Sequence, residues 1–183
     1  MIPLAIDPSR LHIGLAARGA SGQRRLALLR AGGAQRLDVF SDDLEIARAE
    51  PEAAARLPGP DDFAALHVLW VAGLPAEQAT ALAQSARLQR VLVNVEDQPA
   101  LCDFHNAAEL RRGDLLITVS TGGRNPGLAA AVRKALERQF GPEWIERMRQ
   151  AAGRRSAWRS AGHDMPTVGA LTENLAQQEG WLP

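Results

Sequence analysis

Several things are scarce in this chain, and each scarcity excludes something. Of its 183 residues only Cys102 is a cysteine. A lone thiol closes no internal disulfide, which fits a reducing compartment, and it reads first as a small buried hydrophobe. Net charge is absent: Lys plus Arg and Asp plus Glu each number 21. Bulk attraction to nucleic acid or to an anionic membrane is therefore not expected, and an anionic partner would have to meet a local basic patch. No apolar run approaches a membrane span, and the first residues lack a basic segment followed by an apolar core. The expectation is a soluble, cytoplasmic protein with no membrane partner. His12, His67, His105 and His163 are scattered without ligand spacing, so no metal site is expected. No phosphate-binding Walker loop, nucleophile elbow or fixed-period repeat is visible.

What is present is a globular composition, 46% hydrophobic and 23% charged, with strand and helix patterns in alternation. Short apolar runs at 11–16, 35–40, 68–72 and 91–95 read as buried strands. Helical patterns lie between them at 23–31 and 76–87. The Ala- and Glu-rich stretch 44–57, interrupted by Pro51, reads as two short helices or as a helix followed by a poor strand. Such alternation predicts an α/β fold, a Rossmann-like parallel sheet with helices on both faces. A fifth apolar run, 115–119, precedes helical segments at 126–140 and 143–158. Beyond His163 the pattern is loop-like around Pro166, with a short helix over 168–178. The expected organisation is a Rossmann-like domain over 1–113, a helical region over 114–160 and a tail over 161–183.

The first strand runs into Ala17-Arg18-Gly19-Ala20-Ser21-Gly22. Strand, small-residue turn and helix form the setting of a dinucleotide-binding turn, here A-x-G-x-x-G. Gly19 would let backbone approach a pyrophosphate, Gly22 would let helix and strand pack closely, and Ala20 and Ser21 would offer N–H groups at the helix N-terminus. Ser41, Asp42 and Asp43 follow the second strand, where an acid can bond the ribose hydroxyls of NAD and would repel the extra phosphate of NADP; the cofactor expected is therefore NAD. Ser and Asp there would equally cap the helix that follows. Glu96 and Asp97 follow the strand at 91–95, again at a carboxyl strand end. The run 115–119 ends in Ser120-Thr121-Gly122-Gly123, whose hydroxyls and N–H groups suit a carboxylate or phosphate. Arg124, Arg111 and Arg112 are candidates to grip substrate carboxylates in fork geometry. Two strand ends and a glycine turn are thus expected to converge on one cleft.

Residues 91–128 also carry a family pattern. Asn94-Val95-Glu96-Asp97-Gln98-Pro99, then Cys102-Asp103-Phe104, then Val119-Ser120-Thr121-Gly122-Gly123 with Pro126, resembles the precorrin-2 dehydrogenase and sirohydrochlorin ferrochelatase family, the N-terminal module of siroheme synthase. The resemblance implies NAD-dependent oxidation of precorrin-2, a tetrapyrrole, with Fe(II) as substrate ion in a later insertion step. It implies that Asp97 serves both reactions, that Thr121 supplies a hydroxyl, that Arg24-Arg25 matches a basic pair, and that the C-terminal region forms a homodimer. His105, the histidine nearest Asp97 in sequence, is a candidate to assist. Departures stand at Ala17, at Gly73-Leu74-Pro75 and at Asn106, where the family tends to have Gly, Thr with acids, and Pro. They keep open a non-catalytic or chelatase-only relative without NAD.

Overall fold

A computed structural model describes residues 2–182. The chain divides into two compact units, Met1–Asn106 and Ala107–Pro183.

The first unit is a parallel sheet. β1 (His12–Ala17), β2 (Arg36–Phe40), β3 (Val68–Ala72) and β4 (Leu92–Val95) pair in the order β2-β1-β3-β4, every pair parallel. The two central strands carry the most continuous apolar runs because both of their faces are covered. Leu15, Ala16 and Ala17 of β1 are fully buried, as is Leu69 of β3. Alternate side chains feed two cores. Ala16, Phe40, Leu69 and Val71 join Val93 and Val95 against α4 (Ala76–Leu88), while Leu15, Ala17, Val39 and Ala72 pack with Leu26 of α1 (Gly19–Ala31) and Ile46 of α2 (Leu44–Ala49). Burying each large aliphatic side chain contributes about 1.5–3 kcal/mol. Both faces of the sheet are thus covered by helices, as the alternation predicts.

After α2 the chain returns beside β2 in a single parallel bridge, Phe40 to Ala54. Of the two readings of 44–57, a helix then a poor strand is the one realised. The short α3 (Pro60–Phe63) starts where Asp62 accepts the Gly59 N–H, and it delivers Phe63 to the core.

The second unit departs from the sequence expectation. The run at 115–119 forms a strand, β6 (Leu115–Val119), outside the parallel sheet. It pairs antiparallel with β5 (Ala108–Arg112), a strand the periodicity did not suggest. The partner is local because Gly113-Asp114 closes a two-residue hairpin, with Gly113 at φ 58 in the first turn position. The boundary between units accordingly falls ahead of β5, at 106/107, and not after residue 113. α5 (Pro126–Gln139) packs on this hairpin, and α6 (Trp144–Ser160) packs against α7 (Met165–Gln178). The tail is therefore not loop-like around Pro166: Asp164 caps α7 by accepting the Thr167 N–H, and Pro166 sits in its first turn, where a missing N–H costs nothing. No helix among the described residues is long and apolar enough to cross a membrane.

Candidate active site

Parallel strands put all their carboxyl ends on one edge of the sheet. The order β2-β1-β3-β4 makes the point between β1 and β3 the place where successive crossovers run in opposite directions, the usual ligand crevice of such sheets. Gly19 follows β1, Ser41 to Asp43 follow β2, Gly73 follows β3, and Glu96 and Asp97 follow β4.

The turn after β1 is built as a backbone-exposing turn. Gly19 adopts φ 59, and nothing stands within 4 Å of where a side chain would begin. Gly22 does the opposite job. A Cβ there would lie 2.8 Å from Ile46 Cδ1 and 2.9 Å from Ala17 Cβ. Ala17 fits in the first position because Gly22 contributes no side chain opposite it. α1 has no side-chain cap, so the Ala20 and Ser21 N–H groups remain for an anion at the helix N-terminus. This much of the site suits the pyrophosphate of a dinucleotide.

The residues after β2 divide their work. Ser41 is fully buried, and its hydroxyl donates to the Ala17 carbonyl at 2.6 Å, so it ties two strand ends together and offers a ligand nothing. Asp43 caps α2 by accepting the Glu45 N–H at 2.8 Å, and it also accepts the Gly19 N–H at 2.8 Å. Those backbone bonds, Gly19 first, hold its carboxyl below the usual range. Asp42 is gripped by Arg18, whose guanidinium hydrogen bonds are the main cause of its lowered pKa. Sequence reasoning did not single out Arg18, since the middle position of such a turn accepts almost any residue.

Asp97 lies just past β4, two strand spacings or about 10 Å from β1 along the sheet. It is exposed and takes φ 60, a left-handed conformation that Asp tolerates better than most residues. Its carboxylate makes no hydrogen bond or ion pair among the described residues, so it is available to a ligand. Beside it, Glu96 lies 3.9 Å from Arg25 and 4.0 Å from Arg24. Arg25 is the buried partner, with burial drawing its pKa down, whereas Arg24 is mostly exposed.

The residues that carry the family pattern hold this turn in place. Asp103 accepts the Val93 N–H at 2.9 Å and Arg87 Nε at 2.9 Å, covering the open edge of β4. Buried Asn94 donates to the Phe104 carbonyl at 2.8 Å and accepts from Asn106 at 2.9 Å; Asn106 in turn accepts from the Trp70 indole at 3.1 Å. Cys102 is half-buried, not the fully buried hydrophobe expected: its Sγ accepts the Val95 N–H at 3.3 Å, and its one proton faces the Val95 carbonyl at 3.2 Å and the Gln98 carbonyl at 3.4 Å, so the thiol holds the turn. The departure at Asn106 is thus integrated into the network. Asp103→Ala is expected to lower unfolding free energy by roughly 1–3 kcal/mol, because it strands an edge N–H and Arg87; denaturant titration reads this directly.

His105 is half-buried and makes no side-chain hydrogen bond among the described residues. His12 and His67 sit at the opposite, amino end of the sheet, where the His67 ring accepts the His12 N–H. In the second unit, Gly122 and Gly123 take φ 64 and 77, and the Thr121 hydroxyl bridges the Asn125 N–H and carbonyl, so Thr121 shapes its own loop. Ser120 accepts the Gly122 N–H, and Arg124 is exposed. Arg111 pairs with Glu109 and Arg112 donates to the Phe140 carbonyl, so neither is a free fork for a substrate. No cluster of three or more His, Cys, Asp or Glu suited to a metal occurs among the described residues.

A family model described as "Putative NAD(P)-binding" matches residues 4–108, more than half of the chain and nearly all of the first unit. The chain belongs to this NAD(P)-binding family. Among relatives, the siroheme biosynthesis protein met8 of Schizosaccharomyces pombe is 43% identical over 54 residues, which cover 30% of this chain and 20% of that one. Siroheme synthase 1 of Pectobacterium atrosepticum is 27% identical over 188 aligned positions, covering 95% of this chain and 37% of the relative. The chain thus spans little more than a third of such relatives, or less. The solved structure of SirC, a precorrin-2 dehydrogenase, superposes with a TM-score of 0.70 at 17% identity, covering 96% of this chain and 89% of the other, and so has the same fold. These relatives are siroheme proteins, the family that residues 91–128 resemble.

Proposed function

We propose that this protein oxidises precorrin-2 to sirohydrochlorin with NAD as hydride acceptor, a step of siroheme biosynthesis. The observation that carries the reading is the unpartnered Asp97 carboxylate at the same sheet edge as the bare Gly19 turn, in a chain of the NAD(P)-binding family. A bound nicotinamide supplies the acceptor for a hydride. The protein supplies the rest. Ala20 and Ser21 N–H groups hold the pyrophosphate, Gly19 lets it approach, and Asp42 stands where the ribose hydroxyls come. Asp97 takes the proton that the macrocycle loses as the hydride leaves, so charge and electrons balance. The same carboxylate would receive pyrrole protons if Fe(II) is inserted afterwards. Arg124 and the loop of Ser120, Thr121, Gly122 and Gly123 are the proposed contacts for substrate carboxylates, with His105 as a further polar contact.

The test is a mixture of purified protein, NAD and precorrin-2, read for NADH release and for the sirohydrochlorin spectrum. Absence of both would end the dehydrogenase reading. Adding Fe(II) to sirohydrochlorin without NAD separately tests the chelatase step.

A homodimer belongs to the same proposal. On α5 only Ala129 is buried, while Leu128 and Val132, both on the stripe that helical spacing marks as apolar, are 53% and 39% exposed. A second copy would cover that face. Leu128→Asp with Val132→Asp is expected to convert a dimer to a monomer in sedimentation velocity, because two charges would then be buried without partners.

A further inference from the structure

The dinucleotide turn carries one side chain that its geometry does not require. Arg18 stands between Ala17 and Gly19, and its backbone is pinned: its N–H donates to the Ala72 carbonyl at 3.0 Å. Its guanidinium does not run free into solvent. Nε and Nη2 each donate to one oxygen of Asp42 at 2.6 Å, and Nη1 donates to Gln78 Oε1 at 2.8 Å. Asp42 follows β2, and Gln78 lies in the first turn of α4, beyond β3. The guanidinium therefore reaches from one side of β1 to the other across the carboxyl edge of the sheet, beside the acid expected to meet the adenosine ribose.

That placement changes what the acid can do. An unpaired carboxylate after the second strand accepts the ribose hydroxyls of NAD and repels the 2′-phosphate of NADP. Here both carboxylate oxygens already accept from Arg18, so the pair has no net charge. A guanidinium has five N–H donors; the three engaged here leave two for a further anion. Gln78 is neutral, so it orients the fork without adding to the repulsion. Arg is also the residue whose planar fork can hold a carboxylate and a phosphate together, which a lysine ammonium does less well.

We infer that Arg18 is a specificity-determining residue: paired with Asp42 it admits the 2′-phosphate, and the chain binds NADP about as well as NAD. The inference rests on the dinucleotide binding proposed above and deepens it.

The experiment is calorimetric titration of the full chain with NAD and with NADP, for the wild type and for Arg18→Ala, Arg18→Lys and Asp42→Asn, each first checked by thermal melting. The wild type is expected to bind the two within roughly tenfold of each other. Arg18→Ala should weaken NADP by roughly tenfold or more, the scale of a lost charged hydrogen bond with an unmasked carboxylate, and should leave NAD within about threefold or tighten it. Arg18→Lys should fall between. Asp42→Asn should favour NADP further. A wild type that prefers NAD by more than about a hundredfold, or an Arg18→Ala variant that shifts both ligands alike, overturns the inference and leaves the dehydrogenase reading standing. Binding of neither dinucleotide to a folded wild type overturns both.

Discussion

Replacing Asp97 by asparagine is expected to cut precorrin-2 turnover by a factor on the order of 10²–10⁴, the usual contribution of a positioned general base. Asparagine keeps the shape of the side chain and tolerates the left-handed backbone that residue 97 adopts at φ 60. It cannot take up the proton. Because the Asp97 carboxylate is exposed and bonds to no other described residue, its loss should leave the melting temperature unchanged. Asp97→Gly sharpens the test. Glycine occupies φ 60 without strain, so that variant should be at least as stable as the wild type while remaining inactive. If either variant turns over precorrin-2 at the wild-type rate, Asp97 has no part in the chemistry. If activity and stability fall together, its role is architectural.

Gly73→Ala is expected to be the most destabilising single-methyl change in the first unit. Gly73 follows β3 at φ 76, and a Cβ there would lie 1.9 Å from the Arg18 carbonyl oxygen. Both penalties apply together. A non-glycine residue is strained at that φ, and the obstructing atom is backbone that is itself held by the Arg18 N–H to Ala72 bond. The loss should be roughly 2–5 kcal/mol in unfolding free energy, read from denaturant midpoints. Nucleotide binding should weaken with it, since relief of the clash must move the turn that carries Arg18 and Gly19. An alanine variant as stable as the wild type would show that this turn is loosely held and would weaken the case for Arg18 as a fixed specificity element. The same contact accounts for a departure seen in the sequence. At position 73, the first of the departing Gly73-Leu74-Pro75, this turn leaves no room for a side chain.

Much of the first unit is legible in the sequence, for identifiable reasons. Strands buried on both faces must be continuously apolar, so β1, β3 and β4 announce themselves within a residue of their ends. At Gly19 and Gly22 the local geometry was legible, because bare backbone and close packing are tasks only glycine performs. The capping alternative for the acids after β2 was also visible, and Asp43 realises it.

What the chain alone could not decide was partnership. β6 was recognisable as a strand, but a run of five apolar residues does not say which neighbour it will take. Its partner β5, Ala-Glu-Leu-Arg-Arg, hides its alternation behind charges, and the Gly113-Asp114 turn between them was the available signal. Ser41 looked like a ligand contact and is a buried tie to Ala17; Arg18, which the sequence reading passed over, holds Asp42 and Gln78. In each case the local pattern specifies what a residue is able to do. Which of those abilities is used depends on groups 24 to 60 positions away in sequence, brought within hydrogen-bond reach only when the sheet assembles.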